Sequence, residues 1–262
     1  MEPRPDARIL SIPTILIAIL TCASLHAATI ESTPLGGSWN DPATWVGGLV
    51  PTATDDVILT GAVTVSGSPE CLSLQVHDGA SLTGSGVPLP RELTVHNALT
   101  NEGNMADGPY GLELMVGGDL HNAGTWSNST TTLRWGGVRS LSQEADHPFT
   151  TDLVLEAGYL PEVHLTTPVR VRGNITTHEG RLVQQPGSTL VLEDGNFQGN
   201  LDAHGNELTL VGWSYLSNCT LDDVVLGGNA EASFSVVVTT RLVVTGSLQN
   251  GGTGGGGAIP IE

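Results

Sequence analysis

The stretch LMVGGDLHNAGTW at 114–126 recurs in outline along the chain. Twenty-one residues earlier, LTVHNALTNEGNM (93–105) keeps the Leu, Val, Leu, Asn and Gly in step, and LVVTGSLQNGGT (242–253) keeps Leu, Val, Gly, Leu, Asn, Gly and Thr. Apolar-x-apolar triplets begin at Val57, Leu74, Leu93, Leu114, Leu133, Leu153, Val169, Leu190, Leu208, Val224 and Leu242, spaced 16–21 residues apart from Leu93 onward. Alternation of this kind places both apolar side chains on one face of a strand. A period near 19 with no helical run between the strands is the mark of a solenoid. A sandwich would space its strands at about 8–12 residues and would not repeat its own strings. Further apolar positions at Leu99, Leu120, Ile175 and Leu248 give each coil two or three short strands.

One coil cannot bury its own apolar face, but stacked coils can. Each coil lies about 4.8 Å above the last and pairs with it in parallel. The expectation is therefore an all-β, right-handed parallel β-helix of about 10–11 coils over residues 57–250, on the order of 50 Å long. The hand follows from the right-handed bias of crossovers between parallel strands. In the quoted stretch Leu114, Val116 and Leu120 read as core. Gly118, Asn122 and Gly124 read as corners, where Gly supplies positive φ and Asn tolerates it. Asn101, Asn122 and Asn250 read as equivalent positions whose amides stack along the axis.

The ends read differently. Residues 1–28 have the layout of a secretory signal peptide: Arg4 and Arg8, the apolar core ILSIPTILIAIL (9–20), then Ala27–Ala28. A lipoprotein signal with Cys22 as the lipidated residue and a retained N-terminal anchor are the rival readings. Residues 29–56 form an N-terminal cap, with Trp39 and Trp45 laid across the open core and Pro51 removing a donor that an edge would expose. The Asp55–Asp56 pair is a turn before the first alternating strand. Residues 251–262, GGTGGGGAIPIE, are a Gly-rich tail. Either AIPI folds back as a partial cap, or the rod stacks on a partner, or the chain is cut from a longer one; a short or truncated chain is the expectation.

The opening GGSWNDPATWVGGLVPTATDDVIL (36–59) resembles the start of many secreted bacterial β-helix proteins, of the form G-x-W-x-(D/N)-P-x-T-W-x-G-G-x-x-P-x-x-x-D-D-V-x-I. It is similar also to the start of the eight-glycine domain of animal and bacterial extracellular proteins. The L-x-V-x-G-x-L-x-N-x-G repeats resemble the coils of large surface and autotransporter-like passengers. The resemblance implies a right-handed parallel β-helix, export and attachment at a bacterial surface. It implies no reaction.

Charge narrows the partners. The chain has nine Arg, no Lys and 27 Asp plus Glu, a net of −18. Such a surface repels nucleic acid and anionic membranes. Neither nucleic-acid binding nor membrane insertion after signal cleavage is expected. A surface glycan or homotypic end-to-end stacking are the expected partners. The mature part holds only Cys71 and Cys219, which excludes a disulfide framework and reads as two small core residues.

Parallel β-helices include lyases and glycosidases, and several residues bear on that chemistry. Arg170 and Arg172 share a strand face and could serve a lyase as base or uronate clamp; a solvated outer face is the simpler reading. Asp222–Asp223 and Ala-His-Gly-Asn at 203–206 partly echo a polygalacturonase, whose other elements are missing. His77, His96, His121, His147, His164, His178 and His204 read as loop residues. The corners Asp194–Gly195–Asn196 and Asn200–Leu201–Asp202 offer oxygens to calcium but serve equally as corners. Sequons stand at Asn128, Asn174 and Asn218. No catalytic, cofactor-binding or metal-binding residue is assigned. The expected role is a non-enzymatic, secreted or cell-surface solenoid, a stalk or adhesin-like passenger. A carbohydrate-binding module using Trp126, Trp135, Trp213 and Tyr215 as an outward stacking strip is the alternative, and a polysaccharide lyase or hydrolase the third.

Overall fold

The computed structural model describes residues 27–85, 91–134, 137–156 and 162–250. Residues 1–26, which carry most of the expected signal peptide, Trp135 and the Gly-rich tail lie outside the described residues. The fold is a parallel β-solenoid with three stacked faces. The first face begins at Thr29–Glu31 and continues through Asp56–Leu59, Ser73–Val76, Leu99–Asn101, Leu120–Asn122, Val138–Gln143 and Glu162–Leu165. It ends with 181–184, 200–202, 219–222 and 236–238, eleven rungs in all. Every pairing between these strands is parallel, so each coil presents the same edge to the next.

The core consists of columns. On the first face Ile30, Val57, Leu74, Leu99, Leu120, Leu141 and Leu165 stand in register. The second face stacks Val63, Leu82, Met105, Trp126, Phe149, Val171, Leu192 and Leu210. The third stacks Leu93, Leu114, Thr131, Leu153, Ile175, Phe197 and Leu216. Nearly all are buried. The triplets that march along the sequence therefore do not form one column. Val57 and Leu74 belong to the first face, Leu93, Leu114 and Leu153 to the third, and Val169, Leu190, Leu208 and Val224 to the second. Corners of unequal length let the strongest triplet move from face to face while the mean period survives.

Corner chemistry also differs from the expectation. Gly118 and Gly124 have no positive φ. They are required because stacked backbones approach too closely for a side chain: a Cβ on Gly124 would lie 2.1 Å from the Gly103 carbonyl oxygen, and one on Gly118 2.5 Å from the Asn97 carbonyl carbon. Positive φ falls instead on other glycines, among them Gly173, Gly187, Gly205 and Gly212, and on Asp146, Asp194, His204, Asn218 and Asp223. Asp and Asn at these bends clasp the next coil. The Asp119 carboxylate accepts from the Ser140 amide (2.8 Å), Asp152 from Asn174 (2.9 Å), Asn174 from Asn196 (3.0 Å) and Asp194 from Trp213 (2.9 Å). These bonds carry the interstrand ladder around corners where the main chains diverge.

Asn122 is no corner residue but a buried strand residue in register with Asn101. Asn101 Nδ2 donates to Asn122 Oδ1 at 2.8 Å, and Asn122 Nδ2 donates to the His147 carbonyl at 2.8 Å. The expected amide stack is thus real for this pair. Asn250 does not join it, because it stands on the third face opposite Ala232. Asn122→Ala would leave the Asn101 amide and the His147 carbonyl short of partners in a dry core. We expect a loss of about 1–3 kcal/mol in urea unfolding.

The N-terminal segment is itself the first coil: Thr29–Glu31 and Gly37–Ser38 pair with 56–58 and 63–64. The outer edge of that coil is closed by a return of the chain, not by Pro51. The Thr33 amide donates to the Thr44 carbonyl (2.7 Å) and the Val46 amide to the Glu31 carbonyl (2.9 Å). A single 3-10 turn, Pro42–Thr44, capped by Asp41, makes the reversal. Beneath it Trp39 and Trp45 meet edge to face at 5.1 Å, both buried, and Trp45 Nε1 donates to the Trp39 carbonyl at 2.7 Å. The indoles close the tube end as expected. Asp55 accepts from the Thr52 amide and hydroxyl, which fixes the turn before Asp56–Leu59.

Candidate functional site

The cations show what the charged residues do. Each described Arg reaches an adjacent coil. Arg134 meets Glu156 (2.5 Å), Arg172 meets Glu193 (2.9 Å), Arg181 meets Glu162 (2.5 Å) and Asp202 (3.5 Å), and Arg241 meets Asp223 (2.7 Å). Arg170 lies 3.9 Å from the same Glu193. Arg91 and Arg139 donate to the Gly111 and Gly117 carbonyls of neighbouring coils at 3.2 and 2.9 Å. Arg91 also lies over the Tyr110 ring, 5.7 Å from its centroid. The Arg170–Arg172 pair therefore shares one carboxylate and is not a free guanidinium clamp.

The densest polar assembly is a strip on the outside of the first face, where Glu162, Arg181 and Asn200 stand in register. The column beside it runs His164, Val183, Asp202 and Asp222. His164 Nε2 lies 3.1 Å from Glu162 Oε2, and His164 Nδ1 is 2.9 Å from Gln185 Nε2. His204 Nδ1 lies 3.1 Å from Asp202 Oδ1. The sequence singled out His204 and Asp222–Asp223 separately, and the fold brings them onto successive coils. Asp202 had a corner role or that of a calcium ligand in that reading; its register with Asp222 becomes visible once the coils are stacked.

The strip pairs its charges closely. A general acid needs a carboxyl held protonated near neutrality, as burial or a like charge would do. Here the His164 and Arg181 side chains hold Glu162 below its ordinary value. Thr240 and Thr239, with smaller help from His204 and Arg181, hold Asp222 below its own. The sign for Glu162 follows directly. A depressed folded pKa contributes stability that is fully present above the unfolded value and is lost as pH falls through the folded one. The stability difference between the parent and Glu162→Gln should therefore shrink as urea unfolding is moved from pH 6 towards pH 3.

The aromatic strip does not exist as drawn. Trp126 points inward, 1% exposed, and packs edge to face on Phe149 at 5.1 Å. Trp213 is 76% exposed, and Tyr215 is partly exposed. Trp213 leaves the chain at the corner that Asp194 clasps. A polar groove of about 750 Å³ runs along the corner between the first and second faces, lined by Asp78, Glu102, Asn104, His121, Glu144 and His147. Gly103 and Gly124 line it without side chains because the neighbouring main chain comes too close for a Cβ.

Other candidate histidines have structural partners. His96 faces Glu70 at 2.8 Å, His121 faces Ser142 at 2.8 Å, and His147 Nδ1 faces the Gly124 carbonyl at 3.0 Å. Of the two stretches that offered oxygens to calcium, the first keeps a bend at Asp194, which accepts from the Trp213 amide, whereas Asn200–Leu201–Asp202 is no corner but part of the strand Asn196–Asp202, and Asp202 pairs with Arg181 and His204. Among the described residues, no group of three His, Cys, Asp or Glu is arranged to hold a metal ion. Asn128 is buried, its amide donating to the Leu112 and Thr130 carbonyls, so that sequon is closed in the folded chain; Asn174 and Asn218 are exposed. Cys71 and Cys219 are free and buried. Burial raises both thiols, Cys219 to about 12. Neither should react with a thiol reagent until the chain unfolds.

No family model, curated protein or solved structure matches the chain.

Proposed function

We propose that this chain is a non-enzymatic extracellular β-solenoid, a stalk or adhesin-like element whose task is to hold an elongated acidic surface rigid. One observation carries the reading: the described Arg side chains are spent between coils, on carboxylates or carbonyls one turn away. Elimination at a uronate needs a cation turned towards solvent to neutralise the substrate, and Arg170 and Arg172 both face Glu193. Glycoside hydrolysis needs a raised carboxyl, and Glu162 and Asp222 are lowered. Incubation of the purified chain with uronate polymers should release no unsaturated or reducing product. Release that disappears in Arg170→Ala or Asp223→Ala would overturn the proposal.

A second reading rests on Trp213 alone. An indole 76% exposed on a rigid corner is a platform on which a sugar ring can stack. In that reading the chain binds a surface glycan through the Trp213 corner. Glycan-array binding that is lost in Trp213→Ala and kept in Val211→Ala would establish it, and equal binding by both would remove it.

A further inference from the structure

On the second face one rung is incomplete. The strand Val169–Arg172 pairs over its whole length with Leu190–Glu193, but on its other side only Val171 and Arg172 have strand partners, Phe149 and Thr150. The chain reaches Phe149 through Pro148, from a bend at Asp146 with φ +66°. The His147 carbonyl accepts from Asn122 Nδ2 at 2.8 Å, and the Arg170 amide donates to a side chain instead, Gln143 Oε1, at 2.9 Å. Gln143 is itself held by the Thr167 hydroxyl, which accepts from its amide (2.9 Å) and donates to its carbonyl (3.1 Å). The gap in the ladder is a pocket of about 260 Å³, lined by Gln143, Asp146, Pro148, Pro168, Arg170 and Arg172 among others.

We propose that this pocket holds the charged ring of an acidic glycan, whose carboxylate or sulfate group accepts from Gln143 Nε2 and from the Arg170 guanidinium. The donors carry the assignment. Gln143 is only 8% exposed, and the Arg170 amide occupies its Oε1, which leaves the Nε2 hydrogens for the pocket. A buried amide donor with no protein acceptor calls for one from a ligand. Arg172 Nε donates to Glu193 at 2.9 Å, whereas Arg170 stands 3.9 Å from that carboxylate, beyond hydrogen-bond reach, and keeps its donors. A guanidinium beside an amide donor suits anionic oxygen, and Pro148, Pro168 and Val191 give the ring apolar walls. The carboxylate in the lining, Asp146, is exposed. The net charge of −18 repels an extended polyanion, so the ligand carries its charge on one ring among neutral ones. Trp213 does not line the pocket, and the assignment needs neither that platform nor any turnover.

Titration calorimetry with three matched disaccharides tests it: cellobiose, cellobiose 6-sulfate and cellobiouronate, in which one ring is a glucuronate. At least one charged sugar should bind the parent at least about tenfold more tightly than cellobiose, and the one that binds names the group recognised. Gln143→Glu keeps an oxygen for the Arg170 amide and sets a repelling charge where the donor stood. Gln143→Glu and Arg170→Gln should each weaken that binding at least about tenfold, with urea midpoints showing that both variants fold. Binding of neither charged sugar, or equal binding of cellobiose, would overturn the proposal. So would binding that survives Gln143→Glu, or that is lost only in Trp213→Ala, because the sugar would then sit at the Trp213 corner.

Discussion

Replacing Trp126 by alanine should lower the unfolding free energy by about 3–5 kcal/mol, the range for removing a large aromatic from a packed core. The sequence context TWSNSTTT reads as a polar loop with one aromatic on display. In the fold, Trp126 sits in the second-face column between Met105 and Phe149, and its Nε1 donates to Thr131 Oγ1 at 3.2 Å. Thr131 in turn donates to Asn128 Oδ1 at 3.0 Å and meets Thr151 at 3.2 Å. Truncation would empty the middle of the tube and strip this buried network of one member. Trp213→Ala, at an exposed corner, should change stability by less than about 0.5 kcal/mol. Urea unfolding of the two variants side by side separates them, and similar effects would mean that Trp126 is not inside.

Gly124→Ala should cost about 3 kcal/mol although alanine suits the local backbone conformation, at the upper end of what overpacking does. The added carbon would lie 2.1 Å from the Gly103 carbonyl oxygen and 2.7 Å from the Glu102 carbonyl carbon, both main-chain atoms of the coil below. A flexible side chain could swing away, but a main-chain bend bonded to Val76 on one side and Thr125 on the other cannot. Gly187 is the control. It has φ +85° but open space around it, so Gly187→Asn should cost under about 1 kcal/mol. If the two variants unfold at the same urea concentration, conformational freedom rather than coil contact governs the glycines.

The period and the triplets made the solenoid legible, because in-out alternation and stacking leave a direct trace in the residue order. Trp39 and Trp45 as the N-terminal closure were legible for the same reason: two large apolar residues precede the first strong strand. The three-faced arrangement was not. The step between register neighbours varies from 16 residues at Leu216–Ala232 to 27 at Ile30–Val57, so counting at a fixed interval drifts from one face to another. The bulge between Ser127 and Thr130 broke the alternation that would have marked Trp126 as inward. Glycine has several uses, and residue type alone could not tell positive φ at Gly173 from close approach at Gly124. The polar strip failed to show in sequence because its members, Glu162, Arg181, Asp202 and Asp222, are neighbours only after stacking.

The central claim is that each coil lies directly on the last, in one continuous parallel column. On the outside of the second face Thr64, Thr83, Ala106, Ser127, Thr150, Arg172, Glu193 and Val211 follow one another in register. Spin-label distances from Thr64 to Thr150 and from Thr64 to Val211 measure that column. At about 4.8 Å per coil they should be about 19 Å and about 34 Å, apart from the length of the labels. A Thr64–Val211 distance equal to or shorter than Thr64–Thr150 would mean that the chain folds back on itself, and the stacked tube would be wrong.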